Sequence, residues 1–276
     1  MTLLDALARR WTRVDRERLL AAVLVGGVTV DGEAVRDPRR SVGSAAELRI
    51  DLPVPGLRGG RKLDGALDSL GLDVAGIRVL DAGSASGGFC DSLLRHGAAE
   101  VVCVDVAYGA LAYRLRQDPR TVVMERVNVM QLTGARLAPL PDLAVCDLSF
   151  RSLRGAASHL LELTSRGLVL ALAKPQFEWF DAPAEFDGVV AGGATVADIL
   201  EQLITDLSDE GVAVAAAVES VVRGRRGNRE IFLLLVESGG RRDTFSVHIE
   251  RANALQPGSL LQRLRADAPL LPDLSS

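Results

Sequence analysis

Seven short apolar runs constrain this chain more than any other feature. They are IRVLDAG, VVCVDV, TVVMER, DLAVCDLSF, GLVLALAK, GVAVAAAVES and EIFLLLVE. Each is long enough for a strand, and nearly continuous apolar character marks a strand buried on both faces. Helices are expected between them, at roughly 87–96, 108–117, 152–164 and 195–210. Buried strands alternating with helices specify an α/β fold, a doubly wound Rossmann-like parallel sheet with helices on both sides.

A different pattern precedes this region. Residues 3–26 read as two helices, with Leu3, Leu4, Leu7 and Trp11 on one face and Leu19, Leu20, Val23 and Leu24 on another. VTVDGEAV then reads as two strands around an Asp31-Gly32 turn, and ELRIDL as a third. Residues 1–51 are thus expected to be a small α+β domain, followed by a Pro/Gly linker at 52–60. The α/β domain would occupy 61–238, leaving a Pro-rich tail at 239–276 without a clear pattern. Residues 1–62 carry 12 basic and 8 acidic side chains, so a +4 head sits on a −8 remainder, given the net charge of −4. A basic head on an acidic body suits contact with phosphate.

Composition excludes several classes. Hydrophobic residues make up 48% of the chain, enough for a core, yet no apolar run reaches the roughly 20 residues of a membrane span. The start, MTLLDALARRW, lacks a signal-peptide layout, so a soluble, cytoplasmic protein is expected. Cys90, Cys103 and Cys146 form no CxxC pair and the three histidines are scattered, so no metal site is expected.

The sharpest local motif is LDAGSASGGF. A strand ends at Asp81, and Gly83, Gly87 and Gly88 let the backbone turn beside a ligand before a helix begins. The spacing is not that of a dinucleotide or a phosphate-binding loop. The next strand ends in Asp105, 24 residues after Asp81 and suited to a pair of ribose hydroxyls. S-adenosylmethionine (SAM) has a ribose diol and no phosphate, so a glycine-rich turn without an adjacent cation fits it. Ser84 and Phe89 complete the expected cofactor turn. Asn128, after the third strand, is placed either to pair with an adenine or to cap a turn.

From Arg58 to Val236 the chain resembles the TlyA family, known both as hemolysins and as rRNA 2′-O-methyltransferases, and more distantly the FtsJ-type ribose methyltransferases. The resemblance is carried by LRGGRKLDGAL, LDAGSASGGF, VDVAYGALAYRLRQDPRTVVMERVN, CDLSFRSL, AKPQFE and RGNREIFL. It implies a class I SAM-dependent methyltransferase sheet acting on ribosomal RNA, on a cytidine ribose, with a catalytic Lys-Asp-Lys-Glu set at Lys62, Asp147, Lys174 and Glu230. The head, through DRERLLAAVLVGGVTVDGEAV, resembles a small RNA-binding domain of ribosomal-protein type. That likeness assigns phosphate contacts to Arg13, Arg16, Arg18, Arg36, Arg39 and Arg40; a packing or dimerisation module is the other reading. The chain departs from the family between Phe177 and Thr195, where EWFDAPAEFDGVVAGGA replaces a lysine-rich loop.

The four residues suit the chemistry. Methyl transfer needs in-line attack by an oxygen and removal of its proton, without a covalent enzyme intermediate. A free lysine, with a pKa of about 10.4, is a poor base; burial and a neighbouring ammonium favour its neutral form. Lys174 is read as the residue nearest the hydroxyl, Asp147 as its orienter, and Lys62 and Glu230 as holding ribose and charge. Of 32 basic residues only Lys62 and Lys174 are lysines; two lysines placed at random among 32 positions would hit this pair about once in 500 draws. Arginine cannot replace a deprotonatable amine. Other readings are a catalytically idle RNA-binding factor, a base methyltransferase lacking the usual NPPY-type motif, and a membrane-active hemolysin, for which no amphipathic stripe is present.

Overall fold

The computed structural model describes residues 1–239 and 256–266, apart from 13, 15, 25, 44, 45, 51–57, 150 and 225. The chain divides into two units, 1–57 and 58–276.

In the first unit, Thr2 caps helix α1 (Leu3–Arg10), its hydroxyl accepting from the Asp5 N–H at 3.2 Å. Helix α2 (Arg16–Leu24) follows, then strands β1 (Val28–Val30), β2 (Glu33–Ala34) and β3 (Leu48–Ile50), an antiparallel sheet in the order β2-β1-β3. The Asp31-Gly32 turn takes φ of 52° and 87°. Both central residues of a tight hairpin need positive φ, and Asp-Gly supplies it with little strain. Leu3, Leu7, Leu19, Val23, Val28 and Val30 form the core beneath.

The second unit begins with α3 (Arg58–Leu70), so residues 58–60 of the expected linker are already helical. The seven apolar runs form β4 (Arg78–Ala82), β5 (Glu100–Asp105), β6 (Thr121–Glu125), β7 (Leu143–Cys146), β8 (Leu168–Ala173), β9 (Val212–Glu219) and β10 (Ile231–Glu237). They make one sheet in the order β6-β5-β4-β7-β8-β10-β9, parallel from β6 through β8, with β10 inserted antiparallel between β8 and β9. Alternate residues of each strand serve opposite faces. Val79, Val101, Val145, Leu170 and Phe232 pack in one cluster with Leu63 and Leu67 of α3 and Phe89 and Leu93 of α4 (Gly88–Arg95). Leu80, Val102, Ala144, Val169 and Leu233 pack in the other, with α6 (Ala157–Glu162) and α8 (Gly193–Asp209). Two short helices, α5 (Tyr113–Arg116) and α7 (Pro175–Glu178), follow β5 and β8.

The C-terminal segment is not patternless throughout. Helix α9 (Pro257–Arg265) buries Leu260, Leu261 and Leu264 in the same cluster as α8, and Arg265 pairs with Asp198 and Glu201 of α8. Its apolar residues number only three in nine, which is why sequence periodicity passed it over.

Candidate active site

The carboxyl ends of β4, β7 and β8 and the start of β10 meet along one edge of the sheet, because β10 runs opposite to the rest. Ile231 pairs with Ala173, so Glu230, one residue earlier, stands opposite Lys174 in register. Asp147 follows the end of β7, its N–H bonded to the Ala82 carbonyl at the end of β4 (3.1 Å). Lys174 and Asp147 form an ion pair. The Lys174 ammonium also donates to the Leu148 carbonyl (3.2 Å) and lies 3.5 Å from the Ser149 hydroxyl. Lys62 and Glu230 form the second pair, nearly buried on both sides.

Lys62 reaches this edge because glycines bracket it on α3. A Cβ on Gly60 would stand 3.0 Å from the Gly88 carbonyl, and one on Gly65 would stand 2.9 Å from both methyls of Val221. The helix can therefore press onto the start of α4 and the start of the β9–β10 loop. Glu230 is seated in the same way: a Cβ on Gly224 would stand 2.6 Å from its Oε1.

The glycine-rich turn sits next to this cluster. Gly83 has φ +87°, and a Cβ there would meet the Asp147 carbonyl at 2.7 Å. Gly87, φ +93°, is the residue before α4. No L side chain suits either place. Gly88 is held against Gly59 and Gly60. Ser84 is buried and its N–H bonds the Val104 carbonyl at 3.2 Å. Phe89 points into the core, 5.9 Å from the Phe232 ring, so its side chain packs the sheet instead of lining the turn. The Asp105 carboxylate accepts from the N–H groups of Ala85 (2.8 Å) and Ala107 (2.7 Å), which fixes the turn and leaves lone pairs for a ligand hydroxyl. Asn128 caps a 3₁₀ turn through the Met130 N–H at 3.0 Å, so of its two expected roles the structure displays the cap.

Asp81 is fully buried, and neither carboxylate oxygen makes a well-formed hydrogen bond among the described residues. The Cys90 backbone N–H at the start of α4 is its nearest favourable group. Burial, reinforced by the charges of Asp147 and Asp105, pushes its pKa up to about 8. Cys146 is likewise pushed up to about 12 by burial.

In the head, Arg36 and Arg39 are exposed, while Arg16 pairs with Asp5 (2.7 Å) and Arg40 lies 3.7 Å from Glu33. Arg13 and the side chain of Arg18 lie outside the described residues. Three groups escaped the sequence reading. Ser149 lies beside Lys174; Tyr108 is exposed beneath the Arg126 guanidinium at 4.2 Å; Glu178 is buried under the Ser152–Arg154 loop. All three lie inside motifs that carry the family resemblance, CDLSFRSL, VDVAYGALAYRLRQDPRTVVMERVN and AKPQFE.

The model for FtsJ-like methyltransferases matches residues 57–236. The chain belongs to that family. Similar proteins include the Mycobacterium tuberculosis 16S/23S rRNA (cytidine-2′-O)-methyltransferase TlyA, 36% identical over 83% of this chain and 87% of its own. Hemolysin A of Brachyspira hyodysenteriae is 29% identical over 78% of this chain and 91% of its own. A solved structure from Streptococcus thermophilus, provisionally named a hemolysin, matches with a TM-score of 0.67 at 29% identity, covering 96% of this chain and 97% of its own. No helix among the described residues is long and apolar enough to cross a membrane.

Asp81 makes stability depend on pH. The folded protein holds the Asp81 proton up to about pH 8, whereas the unfolded chain releases it near 4. Between those values the folded state binds more protons, so stability falls as pH rises. Asp81→Asn cannot ionise. Urea unfolding at pH 5 and pH 8 should show the variant gaining on the wild type as pH rises; a difference that does not change with pH would contradict the assignment.

Proposed function

We propose that this methyltransferase transfers a methyl group from SAM to the 2′-hydroxyl of a cytidine in ribosomal RNA, in the cytoplasm, where ribosomes are assembled. The observation that carries this is the pairing of the chain's only two lysines, each with a carboxylate, along one sheet edge. The relatives' cytidine activity supports the choice of base.

The residues beside that edge fit SAM. Gly83 and Gly87 leave a cradle that a Cβ would fill. Asp81 is a buried carboxyl in want of a cation, suited to an amino-acid ammonium, and Asp105 suits the ribose diol. SAM supplies an electrophilic methyl group on a sulfonium. Lys174 stands at the ribose hydroxyl, taking its proton or stabilising the oxyanion as it forms. Asp147 fixes the direction of the Lys174 Nζ. Lys62 and Glu230 hold the ribose from the α3 side and balance its charge. No metal enters this scheme. The head contributes phosphate contacts through its arginines, which adds affinity without reading sequence.

Two measurements test this. Lys174→Arg keeps the charge and removes the compact amine. Under single-turnover conditions, tritiated methyl transfer to ribosomal RNA should fall by about two orders of magnitude, with S-adenosylhomocysteine binding intact; a near-normal rate would remove Lys174 from the reaction. The double variant Arg36→Ala/Arg39→Ala should weaken RNA binding and flatten the slope of log affinity against log salt by about 1.4 to 1.8. An unchanged slope would make the head a packing module.

A further inference from the structure

Glu178 ends the single turn of α7, four residues after Lys174, and its side chain is 1% exposed. A carboxylate so far from water needs several donors, and it has them. Oε1 accepts the Leu153 N–H at 2.9 Å. Oε2 accepts the Ser152 hydroxyl and the Arg154 Nη1 at 3.1 Å. Arg154 Nη1 also donates to the Glu178 carbonyl (3.1 Å), and Arg154 Nε to Asp206 of α8 at 2.6 Å.

All these donors belong to the segment that leaves β7. Asp147, Leu148 and Ser149 lie three to seven residues upstream of them in the same segment and meet the Lys174 ammonium. The loop after β7 and the turn after β8 are therefore fastened at two points. One is the Lys174–Asp147 pair, at the sheet edge. The other is Glu178, in the interior. Lys174 is itself the residue that opens α7, its carbonyl accepting the Phe177 N–H at 2.8 Å.

We infer that Glu178 is a positioning residue for methyl transfer, a strap that holds the Lys174 and Asp147 loops in register. This rests on the reading of Lys174 given above. The carboxylate touches no substrate; it acts through where Lys174 stands. With Glu178 truncated, the Leu153 N–H, the Ser152 hydroxyl and the Arg154 guanidinium lose a buried acceptor, and the two loops are free to separate. A displacement on the order of 1 Å at a reacting group can slow a reaction about a hundredfold.

The test compares Glu178→Ala, Glu178→Gln and Lys174→Arg, alone and combined, in the full chain. Glu178→Ala should lower the single-turnover rate about 10- to 100-fold, leaving S-adenosylhomocysteine affinity and KM for ribosomal RNA within about twofold. Glu178→Gln keeps the shape and an oxygen for Leu153, and should recover the rate to within about fivefold of wild type. In the Lys174→Arg background, Glu178→Ala should add little, since the group it positions is already gone. Should Glu178→Ala fail to fold, Ser152→Ala cuts the same strap at one point and should slow the rate about threefold or more. A normal rate in Glu178→Ala, a parallel loss of cofactor affinity, or a full further loss in the double variant would overturn the inference. A normal rate in Lys174→Arg alone would overturn the reading of Lys174 instead.

Discussion

Taking an ammonium group out of water costs several kcal/mol unless an anion and further acceptors accompany it. This protein does so twice along one sheet edge, with Lys62 against Glu230 and Lys174 against Asp147. Much of the domain's architecture serves that arrangement. The reversed direction of β10 turns Glu230 to the same edge as Lys174. Glycines at 60 and 65 bring α3 close enough for Lys62 to arrive. Gly83 lets the Asp147 backbone lie against the glycine-rich turn, where a side chain would collide with its carbonyl. The two pairs balance charge along this edge, so both lysines can lie nearly dry.

Asp81 answers to a different force. It lies beneath the same edge without a cation, so burial wins over the favourable Cys90 N–H and the carboxyl holds its proton. Two carboxyls on the neighbouring strands, Asp147 just after β7 and Asp105 at the end of β5, add to that outcome. The site thus combines acids that are partnered by lysine or backbone donors with one kept neutral by burial.

The strands were legible because a strand buried on both faces must be nearly apolar throughout; β6, at the sheet's edge, has no buried residue and was legible only from its short apolar run. The head was legible in its Asp31-Gly32 turn, where φ leaves little choice of residue. The site was legible in part. The scarcity of lysine singled out Lys62 and Lys174, but their carboxylate partners lie far away in sequence, at distances that only the fold closes. Glu178 and Ser149 lie in the family-like motifs AKPQFE and CDLSFRSL, yet nothing in those motifs tells a buried acceptor from a surface one. Asn128 was expected either at an adenine or as a cap, and it caps its own turn; Phe89, expected in the cofactor turn, packs on Phe232, a contact set by backbone geometry that spacing does not encode. Helix α9 was missed because three leucines make a weak stripe, though they suffice once α8 offers a partner face.

Relatives of this chain carry both methyltransferase and hemolysin names, and the site is the feature that bears on the difference. Under the function proposed above, the buried lysine–carboxylate pairs beside a glycine-rich turn serve methyl transfer. The most direct measurement is mass spectrometry of nucleosides from ribosomal RNA lacking the modification, after incubation with the purified protein and SAM bearing a deuterated methyl group. The account predicts 2′-O-methylcytidine carrying the full label. Label on a base, or no label in any nucleoside, would contradict it.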